Sequence, residues 1–372
     1  MQNVFSLPGR RYGGKSGLFA YICDNQFFKT MSQHTPYAAS ADRYGKMQYN
    51  RCGRSGVRIP AVTLGLWQNF GSQTPFDTIR EIAHYAFDAG ICHFDLANNY
   101  GPVPGAAEEN FGKLMQTSFR PYRDELFIST KAGYLMWPGP YGEWGSRKYL
   151  FSSLDQSLKR MKLDYVDLFY SHRYDPDTPL EETLQALVDM VRQGKALYVG
   201  ISRYPHDAAV FAYQYLRENK TPCLLFQDRY NIIDRMPEKE DLVQLSARNG
   251  AGFISFSPLQ QGLLTDRYLN GIPEGSRMSR SGSSLSRNVL TPAMLEALRG
   301  LDALARQRGQ SLAQMALSWL LAKPEVTSVL IGASSVAQLK DNLGALANTA
   351  FSEQEKAAIE QTAAPIIITG RD

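Results

Sequence analysis

The sequence predicts an α/β protein: a (β/α)8 TIM barrel with a short N-terminal β-hairpin. Three observations predict it. Eight short apolar segments alternate with amphipathic stretches of ten or more residues. The segments are nearly continuous in apolar residues, as strands covered on both faces of a parallel sheet are. The first strand-to-helix turn, "LGLWQNFGSQTPF", lacks the G-x-G-x-x-G that opens a helix in an open dinucleotide-binding sheet. Eight such units favour closure over an open doubly wound sheet.

Residues 1–46 mix Gly, Ser, polar and aromatic side chains without a period and contain a second methionine, Met31, so they read as an extended leader outside the fold. Residues 47–372 read as a single barrel. Its entry, "MQYNRCGRSGVRIPAV", forms two short extended segments joined at "GRSG", a small hairpin. The strands follow at 61–66, 91–96, 126–131, 165–172, 197–202, 224–227, 252–257 and 327–332. Between them, "PFDTIREIAHYAFDAG" has apolar residues at helical spacing and Gly90 as its stop. "PLEETLQALVDMVRQGK" opens on Pro and acids and closes on Gly and Lys. The longest irregular connection, 262–293, follows the seventh strand, where a barrel's functional loops gather.

Composition narrows the function classes. The chain has 372 residues and a formal charge of +4, all of it traceable to the leader, so the barrel is neutral and gives no argument for nucleic acid or membrane partners. Cys23, Cys52, Cys92 and Cys223 are scattered, with no metal or disulfide spacing. "GLFAYIC" at 17–23 is a bare minimum for a signal-peptide core, and a cytoplasmic location is expected.

Chemistry in such a barrel collects where strands finish. The second strand ends on Asp95 and is followed by Tyr100, the third ends on Lys131, and the fourth on His172. Each alone has an ordinary explanation as a cap, a rim residue or a satisfied core group. Together they bring an acid, a phenol, a cation and an imidazole to one mouth. A tyrosine of pKa near ~10 donates poorly at neutral pH, and an ammonium beside it favours the phenolate. Asp95 would hold Lys131 charged, Lys131 would acidify Tyr100, and His172 would hydrogen-bond the oxygen that takes the proton. His93, Asp95 and His172 also suggest a metal-dependent hydrolase, but Lys131 at the same mouth opposes a cation, and no metal is expected.

"FDLANNYG", "ISTKAG" and "LFYSHRYD", at these separations, resemble the aldo-keto reductase superfamily, in the branch of the potassium-channel β subunits. Runs such as "YGPVPGAAEENFG", "GKALYVGIS" and "SVLIGASSVAQLKDNL" resemble its bacterial L-glyceraldehyde 3-phosphate (methylglyoxal-type) reductases. The resemblance covers residues 47–365 and implies that Asp95, Tyr100, Lys131 and His172 are the proton-relay tetrad. It implies NADPH across the barrel mouth, near Trp67, Gln73 and Asp95. Ser202, Arg203 and Gln227 match the carboxamide positions, and Phe256 the residue that stacks on the nicotinamide. "SPLQQG" (Ser257, Pro258, Leu259, Gln260, Gly262), with Arg267 and Arg277, matches the pyrophosphate contacts. Gly332, Ser334, Gln338, Asp341 and Asn342 match the adenosine end. Other branches place Lys and Arg near this end, so selectivity between NADPH and NADH stays open.

Trp67, Phe70, Trp137 and Tyr141 suit the walls of a small substrate pocket, with Arg203 and Arg173 nearby as phosphate candidates. The implied function is reduction of small aldehydes, L-glyceraldehyde 3-phosphate and methylglyoxal among them, by a homo-oligomer (tetramer or octamer). The alternative is a non-catalytic, NADPH-binding, redox-sensing subunit of the channel-β type. His172 argues against it, since those subunits have Asn at the matching position.

Overall fold

The structure is a computed structural model that describes residues 36–279 and 285–370. Most of the expected leader therefore lies outside the described residues, but 37–46 do not behave as a loose tail. The Tyr37 hydroxyl donates to Asp88 (2.8 Å), its ring stacks on His84 with centroids 3.8 Å apart, and the Ser40 amide also reaches Asp88 (2.8 Å).

Strands β1 (Tyr49–Arg51) and β2 (Arg58–Pro60) pair antiparallel as the hairpin. Eight parallel strands then close a barrel in chain order: β3 (Val62–Gly65), β4 (His93–Asp95), β5 (Phe127–Ala132), β6 (Val166–Ser171), β7 (Ala196–Ser202), β8 (Cys223–Arg229), β9 (Gly252–Phe256) and β10 (Val326–Ile331), with β10 returning to β3. This is the predicted (β/α)8 barrel. Alternation along each strand sends one set of side chains outward and one inward. Val62, Leu64, Phe94, Ile128, Val199, Ile201, Phe226, Phe253 and Val329 face the helices and build the main core.

The inward set is different in kind. A small apolar plug closes the floor, where Cys52 and Ile59 of the hairpin meet Leu168, Tyr170 and Leu225. The hairpin is pinned there by Asn50 Nδ2 to the Thr327 carbonyl (2.9 Å) and by the Arg54 amide to the Gly250 carbonyl (3.0 Å). Above the plug the interior is polar, with Thr63, His93, Asp95, Ser129, Lys131, Gln227 and Ser328 all buried.

The helices follow their sequence signals. In α1 (Phe76–Asp88), Ile79, Ile82, Ala83, Ala86 and Phe87 form the buried stripe, and Gly90 ends the helix at φ 88°. In α4 (Leu180–Arg192), Glu181 and Glu182 sit in the first turn and Arg192 in the last, complementing the helix dipole. The long connection after β9 is broken into short 3-10 turns, and Tyr268 and Met278 anchor it. Residues 280–284 of that connection lie outside the described residues.

Candidate active site

Register sets the site. In neighbouring strands Asp95 lies opposite Ser129, and Lys131 opposite Tyr170, so all four project into the barrel at adjoining levels. Lys131 Nζ pairs with Asp95 Oδ2 and donates to the Leu96 carbonyl (2.7 Å), and both partners of the pair are fully buried. Asp95 Oδ1 accepts from Ser129 Oγ (2.7 Å) and from Gln227 Nε2 (3.3 Å). A buried ion pair persists only when its remaining hydrogen-bonding capacity is met, and here three donors converge on one carboxylate.

The turn after β4 brings Tyr100 back over this pair. Lys131 Nζ is 4.8 Å from the centre of the Tyr100 ring. His172 meets Tyr100 edge to face at 5.8 Å and Tyr134 at 4.7 Å, and its amide donates to the Ala132 carbonyl (2.9 Å). The structure thus gathers Asp95, Tyr100, Lys131 and His172 at the C-terminal mouth.

Electrostatics corrects one expectation. The Tyr100 phenol is pushed well above its ordinary value, not acidified, because burial dominates and Asp95 and Tyr134 add to it. Burial also lowers the Lys131 ammonium, opposed by Asp95 and Glu108. His172 is driven well below the usual imidazole value by burial, then by Lys131, Arg173 and Arg203, so the ring is neutral at pH 7.

The residues matched to a nucleotide ring the same mouth. Ser202 ends β7 and is buried. Arg203 follows in the left-handed region (φ 54°), with its amide on the Gln227 carbonyl (3.2 Å). After Phe256 at the end of β9, Ser257 (φ 50°), Gln260 (φ 44°) and Gln261 (φ 56°) share that conformation, and Gly262 follows at φ 102°. Asn231 braces this loop through Gln260 Oε1 (2.9 Å) and the Ser257 carbonyl (3.0 Å). Elsewhere among the described residues, Lys162 and Asp241 adopt positive φ as helix caps, Lys220 (φ 59°) just past a helix end, and Trp144 (φ 74°) in the loop after β5. At the mouth the strain sits in loops that turn backbone toward the opening, as ligand-clamping loops do. Pro258 and Leu259 lie within this turn, Arg267 is exposed beyond it, and the Arg277 guanidinium stands 5.6 Å from the Trp67 ring.

After β10, Ser335 caps α10 (Val336–Leu343) by accepting from the Gln338 amide (3.2 Å). Gln338 Oε1 takes both the amide and the hydroxyl of Ser334 (2.9 Å each). A Cβ at Gly332 would meet only the Gly65 carbonyl oxygen, at 4.0 Å, Asp341 is engaged by Gln314 (2.9 Å), and Asn342 Nδ2 is buried with no protein partner. A strained backbone loop, an orphaned buried amide and a helix N-terminus along one rim fit an extended phosphate-bearing cofactor.

The pocket residues divide. Trp67 is 39% exposed and lies 6.4 Å from Tyr100, at the opening. Trp137 packs on Tyr149 (5.4 Å), and Tyr141 is 55% exposed near Lys148. Phe70 is fully buried in the main core and walls no pocket. Gln73 is exposed on the turn after β3. Arg173 is bound to Glu143 (2.8 Å) and the Gly133 carbonyl (2.8 Å) and stacked on Trp144, which makes it part of the wall. His93 contacts Thr63 and Ser129, and no cluster of three or more His, Cys, Asp or Glu that could hold a metal ion occurs among the described residues. Sequence reasoning missed Ser129 and Tyr134. The signal for Ser129 was its place two residues before Lys131, on the same face of β5.

Comparison with known proteins agrees with this geometry. Residues 61–364 match the aldo/keto reductase family. The chain is 58% identical over 328 residues to a protein of Escherichia coli (strain K12) named L-glyceraldehyde 3-phosphate reductase, covering 87% of this chain and 95% of the relative. It is 35% identical over 306 residues to a protein of Oryza sativa subsp. japonica named probable voltage-gated potassium channel subunit beta, covering 81% and 91%. Among solved structures, a thermostable aldo-keto reductase crystallised with the inhibitor epalrestat superposes with a TM-score of 0.66 at 32% identity, over 85% of this chain and 100% of that one.

Proposed function

From the premise that this chain belongs to the aldo/keto reductase family and is an oxidoreductase, we propose that it reduces small aldehydes to alcohols with NADPH, L-glyceraldehyde 3-phosphate and methylglyoxal among them, with Tyr100 as proton donor. The observation that carries this reading is the meeting of Tyr100, His172 and the buried Lys131–Asp95 pair at one mouth. NADPH, when bound, supplies the hydride. Ser202, Arg203, Gln227 and Phe256 would hold its reactive end, the turn from Ser257 to Gly262 its pyrophosphate, and the stretch from Gly332 to Asn342 its adenosine.

The chain's own part is the proton. A substrate carbonyl oxygen accepts hydrogen bonds from the Tyr100 hydroxyl and neutral His172. Burial keeps Tyr100 fully protonated at neutral pH, so the donor is loaded until the oxygen becomes an alkoxide, a far stronger base than phenolate. Lys131 then stabilises the phenolate that remains. Trp67 narrows the opening. Arg203 is the candidate for a substrate phosphate, since Arg173 is tied to Glu143. The buried free thiols of Cys52, Cys92 and Cys223 suit a reducing, cytoplasmic setting, and a homo-oligomer is the state the family resemblance implies.

The test is Tyr100→Phe, assayed with methylglyoxal and L-glyceraldehyde 3-phosphate against NADPH and NADH. Loss of the general acid should lower kcat at least about 100-fold, while NADPH still quenches tryptophan fluorescence. Wild-type turnover in the variant would overturn the assignment. NADPH binding without turnover in the wild type would favour the sensing-subunit reading instead.

A further inference from the structure

Below the Asp95–Lys131 pair runs a line of side chains the relay does not use. Ser328 Oγ is 2.8 Å from Thr63 Oγ1, which is 3.0 Å from His93 Nδ1. His93 Nε2 is 2.9 Å from Ser129 Oγ, and Ser129 Oγ is 2.7 Å from Asp95 Oδ1. All five residues are fully buried, and β10, β3, β4 and β5 supply them in barrel order.

Counting hydrogens gives the chain one direction. A carboxylate only accepts, so Ser129 spends its single hydrogen on Asp95. Ser129 must then accept from His93, which places the imidazole hydrogen on Nε2. Burial, opposed by Asp95 and aided by Lys131, lowers His93 to about 4, so the ring is neutral and its Nδ1 is bare. Thr63 therefore donates to Nδ1, and Ser328 donates to Thr63.

We propose that this chain positions the relay: His93, as the Nε2–H tautomer acting through Ser129, fixes the Asp95 carboxylate against Lys131 and so sets the pH window of aldehyde reduction. The inference rests on the reductase reading above. Gln227 reaches the same carboxylate oxygen at a longer 3.3 Å, so Ser129 is its closer neutral donor. The other titratable groups around the pair are Glu108 of α2 (Ala106–Leu114), the phenols of Tyr100, Tyr134 and Tyr170, and His172. Loosening Asp95 removes what keeps the buried ammonium charged, so the alkaline limb of kcat moves to lower pH.

Two measurements test this. First, Ser129→Ala and His93→Leu should lower kcat about 10-fold or more, change KM for aldehyde and NADPH less than about 3-fold, and move the alkaline limb of the pH profile to lower pH. His93→Gln, which keeps a donor toward Ser129, should recover most of the loss. Wild-type profiles in both Ser129→Ala and His93→Leu would overturn the proposal. Second, in nitrogen-15 NMR of the five histidines, the signal that disappears in His93→Gln should be an imidazole held as Nε2–H and not titrating between pH 8 and 5, distinct from the other buried neutral ring, His172. An Nδ1–H tautomer, or titration near the ordinary value, would overturn it whatever the kinetics. The NMR result needs no turnover, so failure of the reductase reading appears separately, as a wild type in which reduction is absent or independent of Tyr100.

Discussion

The Lys131 ammonium stands 4.8 Å from the Tyr100 ring, yet the phenol lies well above its ordinary pKa, because burial penalises the phenolate and Asp95 and Tyr134 add to that penalty. The sequence showed the cation but not the dryness, so the direction it led one to expect for the Tyr100 shift was wrong. Asp95, Lys131 and His172 were legible because a charge or imidazole at the end of an apolar strand is conspicuous. Thr63, Ser129 and Ser328 were not, since small hydroxyl residues pass as ordinary strand positions. His93 has a stability consequence of its own. The unfolded chain binds a proton on this residue below pH 6.5, whereas the folded chain refuses it down to about 4. Stability is therefore lost as pH falls from 6.5 to about 4, by about 3 kcal/mol in all at roughly 1.36 kcal/mol per unit. Urea unfolding of wild type and His93→Gln at pH 7 and pH 4.5 should show the wild type losing more by about this amount. Equal losses would mean that His93 takes up its proton in the fold.

At the scale of elements, strands and amphipathic helices could be read because period 2 and period 3.6 leave a pattern, and loops could not because they have none. Phe70 and Tyr141 illustrate the point: both are aromatics in rim loops, yet one lies in the core and the other in solvent. The hairpin was legible from "GRSG", but its role as the barrel floor was not, since that depends on Leu168 and Leu225 more than a hundred positions away. Gly53 at its turn has φ 51°, and a Cβ there would stand 2.0 Å from the Gly250 carbonyl oxygen. Gly53→Ala should destabilise the fold by roughly 2 kcal/mol or more, seen as a lower urea midpoint, while KM for NADPH stays unchanged. An unchanged midpoint would mean that the floor does not need this close approach.

At the scale of the molecule, closure of β10 onto β3 makes one cooperative body, and residues from Tyr37 onward form a compact unit. The compositional change at Met47 marks the start of the hairpin. The packing boundary lies nearer Tyr37, whose ring rests on His84 and whose hydroxyl meets Asp88. Two truncations, one removing residues 1–36 and one removing 1–46, distinguish these boundaries. Compared with the shorter truncation, deleting 1–46 should lower stability by at least about 1–3 kcal/mol, since it removes the Tyr37 ring contacts, two hydrogen bonds to Asp88, the Ala39 amide bond to the Tyr122 hydroxyl and the Arg43–Glu125 pair. Equal midpoints for the two truncations would place the boundary at 47 after all.

The sealed floor has a further consequence for isotopes. With the hairpin closing one end and the strands hydrogen-bonded all round, the labile hydrogens on Ser328, Thr63 and His93 occupy a blind tube. In heavy water they can be replaced only past Asp95 and Lys131, or when the whole wall opens. Their lifetime is then a clock on the mouth itself, and whatever occupies the mouth would slow it.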